Sequence, residues 1–392
     1  MKKIVYGFWM LLLISGMAFG QSNTSTVNST GNNNSATVTQ TGATNNSTVD
    51  QTGDNHNAQA NQTGVGNAGD QDQFGGNGNF AYLIQAGDLN KASQQQNGSS
   101  NNAQSRQSGD ENEAYQTQIG TGNQASVYQN GETHGGDGFS NYASQFQDGV
   151  ANNAWADNLG ANNSSTQSQR GDGNRVSTLL QGDNNYSTQA QGGLQNYGRV
   201  ITFGDLNGAQ QEQHGELNAA ESFQSGNRNY SLQQQNANGG NIFLPGGGNV
   251  AKSDQLGDLN WQWQLQRGFD NRATTLEVGN SNQSVQLTFG DDNIAITSQN
   301  GDRNFAQQTQ GITGAWPTYF WNSASDLNEA NIDQDGDDNR ASQYQLGGGD
   351  HYALTVQNGN SNVATTSQTG LSHSSVINQV GNSNVATVTQ SN

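Results

Sequence analysis

The amino-acid sequence predicts an all-β protein: a two-sheet, amyloid-like parallel β-solenoid of stacked strand-turn-strand repeats, with 22 residues per rung. Three observations support this prediction. One short motif repeats through almost the whole chain, its fixed places are all odd-numbered, and one place alternates from unit to unit. The motif is first complete at Asn34, Ala36, Gln40 and Gly42, and it is repeated eleven residues later at Asn45, Ser47, Gln51 and Gly53.

The repeat runs from Gly31 to the last residues of the sequence. Thirty units follow Gly31, each opened by a glycine-like turn residue, and a shorter unit occupies residues 21–30. Counted from the turn residue, the third place is Asn in 27 of the 30 units and His in the other three, which are His56, His351 and His373. The fifth place is mostly Ala or Ser. The ninth place is mostly Gln, and it departs from Gln at Asn158, Leu180, Thr202, Glu277 and Thr288.

Because the fixed places are all odd-numbered, they are separated by multiples of two residues, which is the period of a β-strand. Successive side chains of a strand point to opposite faces, so residues two apart share a face, whereas a helical stripe has a period near 3.6. Each unit is therefore a strand and a turn. At the turn, a Gly followed by an Asp, as at Gly204 and Asp205, supplies a positive φ and a side chain that bonds the backbone.

The seventh place alternates between Gln and a smaller or apolar residue, from Gln71 to Thr355. The series begins Gln71, Leu83, Gln94, Ser105, Gln116 and Val127. We therefore expect the Gln-bearing strands to stack in one sheet and the others in the facing sheet. A slip of one residue would turn outward residues such as Lys91 or Arg175 into the interior, which sets the register.

The inward places predict a core amide ladder. An amide buried without a partner costs on the order of 2–7 kcal/mol, so we expect each amide to bond to its equivalent one rung up and one rung down. The Asn residues of the predicted ladder include Asn34, Asn45, Asn90, Asn112, Asn207, Asn339, Asn362 and Asn384. Its Gln residues include Gln40, Gln51, Gln96, Gln118, Gln213, Gln345, Gln368 and Gln390.

The first 20 residues have the pattern of a cleavable secretory signal peptide. Lys2 and Lys3 precede an apolar run that ends near Ile14, and small residues follow. The predicted solenoid occupies residues 21–392, with insertions near 131–138, 237–246 and 312–325. We expect an exported product that is not a membrane protein after cleavage.

The composition is polar and acidic. Hydrophobic residues make up 30% of the chain, which by composition alone is typical of a disordered segment, but the fixed offsets decide against disorder. Loss of two lysines with the signal leaves 11 basic against 32 acidic residues, a net charge of −21, which argues against nucleic acid. With no cysteines, no disulfide framework supports the protein outside the cell.

These units resemble the curlin repeats of the curli major subunit, in an enlarged form with about 15.5 double repeats. The segment VINQVGNSNVATVTQ, from Val376 to Gln390, is close to the family pattern, although the usual Ser in one strand of each pair is nearly always Asn here. The resemblance implies a secreted functional amyloid: a subunit of extracellular curli fibres (a pilus-like fimbrium) that serves cell adhesion in the extracellular matrix of a biofilm. It also implies an outer-membrane secretion channel with accessory factors, and a nucleator curlin.

The ends of the repeat array predict where one molecule meets the next. Monomeric solenoids carry atypical capping repeats, whereas these end units keep the pattern and place apolar residues at the seventh place. We expect the strand from Asn384 to Gln390 to stack on the first strands of a second copy, giving a head-to-tail homopolymer. The predicted polymerisation residues are Asn23, Val27, Asn34, Val38, Ile377, Gln379, Asn384, Val388 and Gln390.

No catalytic or metal-binding motif is evident in the sequence, and no cofactor is expected. The three histidines stand at the Asn place and are interpreted as Asn substitutes. An ice-binding solenoid would need ranks of outward Thr, and a solenoid enzyme would need carboxylates clustered in a cleft; the strands offer neither. A monomeric secreted β-solenoid adhesin and a minor or nucleator curlin stay open as alternatives.

Overall fold

The computed structural model describes residues 22–130, 140–235, 247–311 and 327–392. Within these ranges the secondary structure is β-strand, turn and bend, with no helix. The predicted signal peptide and the three predicted insertions lie outside the described residues.

Thirty-one strands follow one another along the described chain. The first sixteen are β1 Thr24–Thr30, β2 Ser35–Ala43, β3 Asn46–Asp54, β4 Asn57–Val65, β5 Ala68–Asn77, β6 Phe80–Ala86, β7 Lys91–Ser99, β8 Asn102–Ser108, β9 Glu113–Thr121, β10 Gln124–Asn130, β11 Tyr142–Val150, β12 Asn153–Leu159, β13 Ser164–Asp172, β14 Arg175–Gln181, β15 Tyr186–Leu194 and β16 Tyr197–Phe203. The others are β17 Gly208–Glu216, β18 Ala219–Ser225, β19 Tyr230–Gln235, β20 Val250–Leu256, β21 Trp261–Arg267, β22 Arg272–Val278, β23 Gln283–Phe289, β24 Ile294–Asn300, β25 Phe305–Gln310, β26 Glu329–Asp335, β27 Arg340–Leu346, β28 Tyr352–Asn358, β29 Val363–Thr369, β30 Ser374–Val380 and β31 Val385–Ser391.

The strands form two parallel sheets. All odd-numbered strands stack in order in a 16-stranded sheet, here called sheet 1, and all even-numbered strands stack in a 15-stranded sheet, called sheet 2. Equivalent places pair in register, as Gln94 with Gln116 in sheet 1 and Gln85 with Gln107 in sheet 2. This confirms the predicted two-sheet parallel β-solenoid of about 15 turns, and the seventh-place Gln residues lie in sheet 1.

The register continues across the predicted insertions. The step between stacked Gln residues is 29 residues from Gln116 to Gln145 and 35 from Gln308 to Gln343, instead of the usual 22. One irregularity is a register shift between β3 and β5 at Thr52 to Asp54, opposite an extra residue near Gly75. Additional residues are therefore accommodated at the corners, and the stacking order of the strands does not change.

The apolar core is small and divided. The largest cluster of buried apolar residues consists of Ala60, Leu83, Ala92, Ala114, Val127, Ala143 and Ala156. Most of the remaining inward side chains are fully buried amides and hydroxyls. Hydrophobic burial is therefore only one part of what holds the sheets together, and the hydrogen bonds of the polar interior must supply the rest.

Two positions in each turn adopt positive φ for different reasons. At the first, Gly204 has φ of 104°, and a Cβ there would collide with the carbonyl oxygen of Gly226 one rung up. The last of the three turn residues, Leu206, has φ of 61°, a left-handed conformation that many non-glycine residues adopt in this chain. Turn carboxylates also bond the backbone of the neighbouring rung, since Asp183 N–H donates to Asp205 Oδ1 at 2.8 Å.

We expect Gly204→Ala to destabilise the folded protein more than Gly122→Ala. Gly122 has φ of 68° and an added Cβ would meet nothing within 4 Å, so its replacement costs about 1–2 kcal/mol of left-handed strain. At Gly204 the collision adds to that strain, for a total of roughly 2–5 kcal/mol. Urea unfolding of the two variants measures the difference. Equal costs would show that the backbones of successive turns are not in close contact.

Candidate functional site

Gln side chains form continuous hydrogen-bonded ladders parallel to the axis of the solenoid. In sheet 1, Gln96 Nε2 donates to Gln118 Oε1 at 2.9 Å, and Gln118 Nε2 donates to Gln147 Oε1 at 2.9 Å. The second hydrogen of each amide is also used, since Gln96 Nε2 donates to the backbone oxygen of Phe80 at 2.9 Å. Each amide group is thus bonded both along the axis and across to the facing sheet.

The other ninth-place residues of the predicted ladder occupy equivalent positions. Gln51 donates to Gln73, Gln213 to Gln235, Gln345 to Gln368, and Gln368 to Gln390, over distances from 2.8 to 3.1 Å. Gln40 begins the corresponding column of sheet 2 and donates to Gln62 at 2.8 Å. A further ladder at the seventh place of sheet 1 is unbroken from Gln71 to Gln343. All these bonds have one polarity, with Nε2 donating toward the C-terminal end.

The Asn residues bond mainly to the backbone of the turns, which differs from the expected pairing of each amide with its equivalent. Asn90 Nδ2 donates to Gly109 O at 2.7 Å, and its Oδ1 accepts from the backbone N–H of Asn112 at 3.0 Å. Some Asn side chains also bond one another, as Asn112 Nδ2 to Asn90 Oδ1 at 3.0 Å. Asn is one methylene shorter than Gln, so its amide remains close to the corner of the strand.

The same backbone contacts recur at the other Asn residues of the predicted ladder. Their Nδ2 atoms donate to turn carbonyls, with the pairs Asn34 to Gly53, Asn45 to Gly64, Asn207 to Gly226, Asn339 to Gly359 and Asn362 to Gly381. Asn384 N–H donates to Asn362 Oδ1 at 3.0 Å. His56 serves in the same way, because its Nδ1 accepts from the backbone N–H of Asn79 at 3.2 Å.

Breaks in the ladders leave identifiable oxygens without a donor. Among the residues that the structure describes, five buried Gln Oε1 atoms have no hydrogen-bond partner, at Gln51, Gln71, Gln224, Gln299 and Gln310. In each case the preceding residue of the column is not an amide; the five residues are Ser29, Val49, Thr202, Glu277 and Thr288. Three of the five preceding residues, Thr202, Glu277 and Thr288, are visible in the sequence as departures from Gln at the ninth place. The sequence does not predict which neighbouring amide loses its partner, because it does not show the direction of the ladder bonds.

The described strands end in free edges at both ends of the stack. β1 and β2 are the first strands of their sheets, and β30 and β31 are the last. Val27 is 47% exposed, and Asn23, Asn34, Val38, Asn384, Val388 and Gln390 are partly exposed, although the equivalent inward residues of the inner rungs are buried. Ile377 and Gln379 remain buried, at 4% and 5% exposure.

The described residues contain no group of three or more His, Cys, Asp or Glu that could hold a metal ion. In the same ranges, no helix is long and apolar enough to cross a membrane. The site defined by the geometry is therefore a set of ladders and free strand edges, which is characteristic of a structural repeat protein of the β-solenoid class.

The family comparison agrees with this class. Residues 31–64 match the family described as the curlin associated repeat. The matched range covers β2, β3 and most of β4. No curated protein matches the chain. The match and the stack of about 15 turns confirm the resemblance to curlin-repeat proteins, whose repeat is a structural unit and not a catalytic one.

We expect Gln118→Leu to destabilise the protein, although a Leu, Leu180, is buried at the equivalent ninth place in sheet 2. The change removes both ladder bonds of Gln118 and leaves Gln96 Nε2 and Gln147 Oε1 without their axial partners, at about 1–3 kcal/mol for each group. Gln95→Leu, on the exposed face of β7, is the matched control. Urea midpoints of the two variants would be equal if the ladder contributed nothing.

Proposed function

We propose that this protein is a secreted structural subunit that polymerises head-to-tail into extracellular, curli-like amyloid fibres of a biofilm matrix, with roles in adhesion and cell aggregation. The observation that carries the proposal is the pair of edges at the first and last described strands, on which no further described strand pairs and at which the ladder ends have complementary polarity. An edge of this kind is a template for another strand unless it is covered. A second copy of the chain supplies the matching edge.

The strands at the two ends match in sequence and in register. Residues 36–40 of β2 and residues 386–390 of β31 both read Ala-Thr-Val-Thr-Gln. If β2 of one copy stacks on β31 of the preceding copy, Val38 lies over Val388 and Gln40 over Gln390. Gln390 Nε2 then faces Gln40 Oε1, and the bond has the polarity of every ladder bond inside the chain.

Full pairing of both sheets requires a half turn between copies. The last two strands, β30 and β31, belong to different sheets. Because successive strands alternate between the sheets, a strand that followed β31 would stack on β30. If β1 of the next copy takes that position, Val27 lies over Ile377, β2 lies on β31, and no gap is left. If β1 were instead placed on β31, sheet 2 would lack one strand at the junction. We therefore propose that successive subunits are rotated by half a turn about the fibre axis.

The contact is heterologous and does not close, so it extends into a filament. The predicted net charge of −21 for the exported chain gives mutual repulsion that opposes nonspecific association, and the specific end contact must overcome it. Export through an outer-membrane curli channel with accessory factors, and nucleation by a minor curlin, are proposed on the resemblance alone. The alternatives, a nucleator role or a monomeric adhesin, differ from this proposal in their assembly behaviour.

We expect the double variant Val376→Pro/Thr387→Pro to fold but not to elongate. Tyr352 N–H donates to His373 O, and Val363 N–H donates to Asn384 O, so alternate residues of β30 and β31 bond inward while Val376 and Thr387 face the free edges. Proline there removes donors only from the edge. Dye binding and electron microscopy measure growth, with Val376→Thr/Thr387→Val as control.

The same variant should terminate wild-type fibres when it is added in small amounts. Its unaltered β1 and β2 would add to a growing end, and its altered strands would block the next addition. A double variant that elongates at the control rate would overturn the end-stacking proposal. A wild-type protein that remains monomeric would favour the adhesin.

We expect Thr37→Cys/Thr387→Cys to form disulfide-linked multimers on oxidation, whereas Thr26→Cys/Thr387→Cys should not. All three threonines are exposed, and the chain has no native cysteine. Half-turn stacking places Thr37 directly over Thr387, about 4.8 Å away, within the range for a disulfide. Non-reducing gels of fibres dissolved in denaturant measure the linkage. Multimers from the second pair alone would contradict the half turn.

A further inference from the structure

A buried carboxyl interrupts a column of amides at strand β22 of sheet 2. Glu277 occupies the ninth place of β22, between Gln255 of β20 and Gln299 of β24, and its side chain is fully buried. Gln255 Nε2 donates to Glu277 Oε2 at 2.8 Å, which continues the ladder from the N-terminal side. Gln299 Nε2 donates to Gln334 Oε1 at 2.9 Å, which continues it on the other side.

The bond between Glu277 and Gln299 is the missing step. Glu277 Oε1 and Gln299 Oε1 are both buried and both without a hydrogen-bond partner, and the two residues are paired in register. Between two successive Gln residues of a ladder, the Nε2 of the first residue donates to the Oε1 of the residue in the next rung. Here two acceptor atoms occupy the places of a donor and an acceptor.

We propose that Glu277 is a proton-binding site of the folded protein, whose neutral carboxyl donates an O–H···O hydrogen bond from Oε1 to Gln299 Oε1. One proton then restores the missing donor, since a protonated carboxyl combines one O–H donor with an acceptor oxygen, as a Gln amide combines N–H and C=O. Without the proton, the column contains a buried negative charge and two oxygens that repel each other.

No charged group in the surrounding core stabilises an ionised Glu277. The inward side chains of the neighbouring strands β20, β21, β23 and β24 are Ala, Ser, Thr and Gln. The other charged residues of β20, β21 and β22 are on outward faces, and they are Lys252, Asp254, Arg267 and Arg272. Burial raises the pKa of Glu277 well above its ordinary value of 4.5, while the hydrogen bond from Gln255 lowers it.

The pH dependence follows from the direction of that shift. The folded state holds the proton at pH values where the unfolded chain has lost it, so the contribution of Glu277 to stability is complete below pH 4.5 and falls as pH rises. Between the unfolded and the folded pKa, the folding equilibrium constant decreases by up to about tenfold per pH unit. Burial also raises the pKa values of Asp72 and Asp157 to about 6, which adds a change of the same sign.

The test compares the full-length chain with Glu277→Gln, which supplies the donor without the charge. We expect equal urea midpoints near pH 4 and a progressively higher midpoint for the variant from pH 5 to pH 8. Glu277→Leu, patterned on Leu180 of the same column, should also lose this part of the pH dependence. Glu329→Gln, on the outward face of β26, should leave it unchanged.

Infrared difference spectra give a second and direct measurement. The folded wild-type protein at neutral pH should show the carbonyl band of a protonated carboxyl that is absent from Glu277→Gln, and the subtraction removes the contributions of Asp72 and Asp157. A carboxylate band for Glu277 at neutral pH, or a midpoint difference that is constant from pH 4 to pH 8, would overturn the proposal. Both measurements address the folded chain, so their outcome is independent of whether the rods join end to end.

Discussion

The structure depends on hydrogen bonds between equivalent side-chain amides in successive rungs. A buried Gln is costly when its donors or acceptor are left unbonded, and within an unbroken ladder the partners of each Gln are the Gln residues of the neighbouring rungs together with a backbone carbonyl. The requirement is self-consistent only at the correct register, because a slip by one residue would break every bond of a column at once. An interior made of amides therefore specifies one alignment, although its hydrophobic contribution is small.

The ladder also explains which substitutions the interior accepts. At Leu180, Thr202 and Thr288, the column loses a donor or an acceptor, and the stacked strands continue. Leu180 packs with Val200 and Ala209 in a separate apolar cluster, so hydrophobic contact replaces the amide bonds at that level. Loss of both partners of a bond is nearly neutral when apolar groups fill the space, whereas one unpaired oxygen is costly. Stability is consequently a sum of local terms between neighbouring rungs.

Sequence periodicity was sufficient to predict the fold, because strand, turn and stacking order all leave regular marks. The period of two between the fixed places predicts the strands, and the Gln alternation at Gln71, Leu83 and Gln94 separates the two sheets. The partners of Asn were not predictable in the same way. The regular repeat spacing predicts that Asn90 and Asn112 are stacked, but whether an amide bonds a side chain or a turn carbonyl depends on the length of its side chain and the path of the corner. The protonation of Glu277 likewise depends on burial and on its neighbours.

The three long corners have a consequence for what the rod can carry. Gln116 and Gln145 are bonded at 2.9 Å although 29 residues separate them, so the length of a corner segment does not alter the geometry of the strands on either side. The three long segments follow β10, β19 and β25, which are strands at different levels of the stack. Peptides inserted at chosen corners of the solenoid would therefore be displayed at defined separations, which are multiples of one strand spacing of about 4.8 Å.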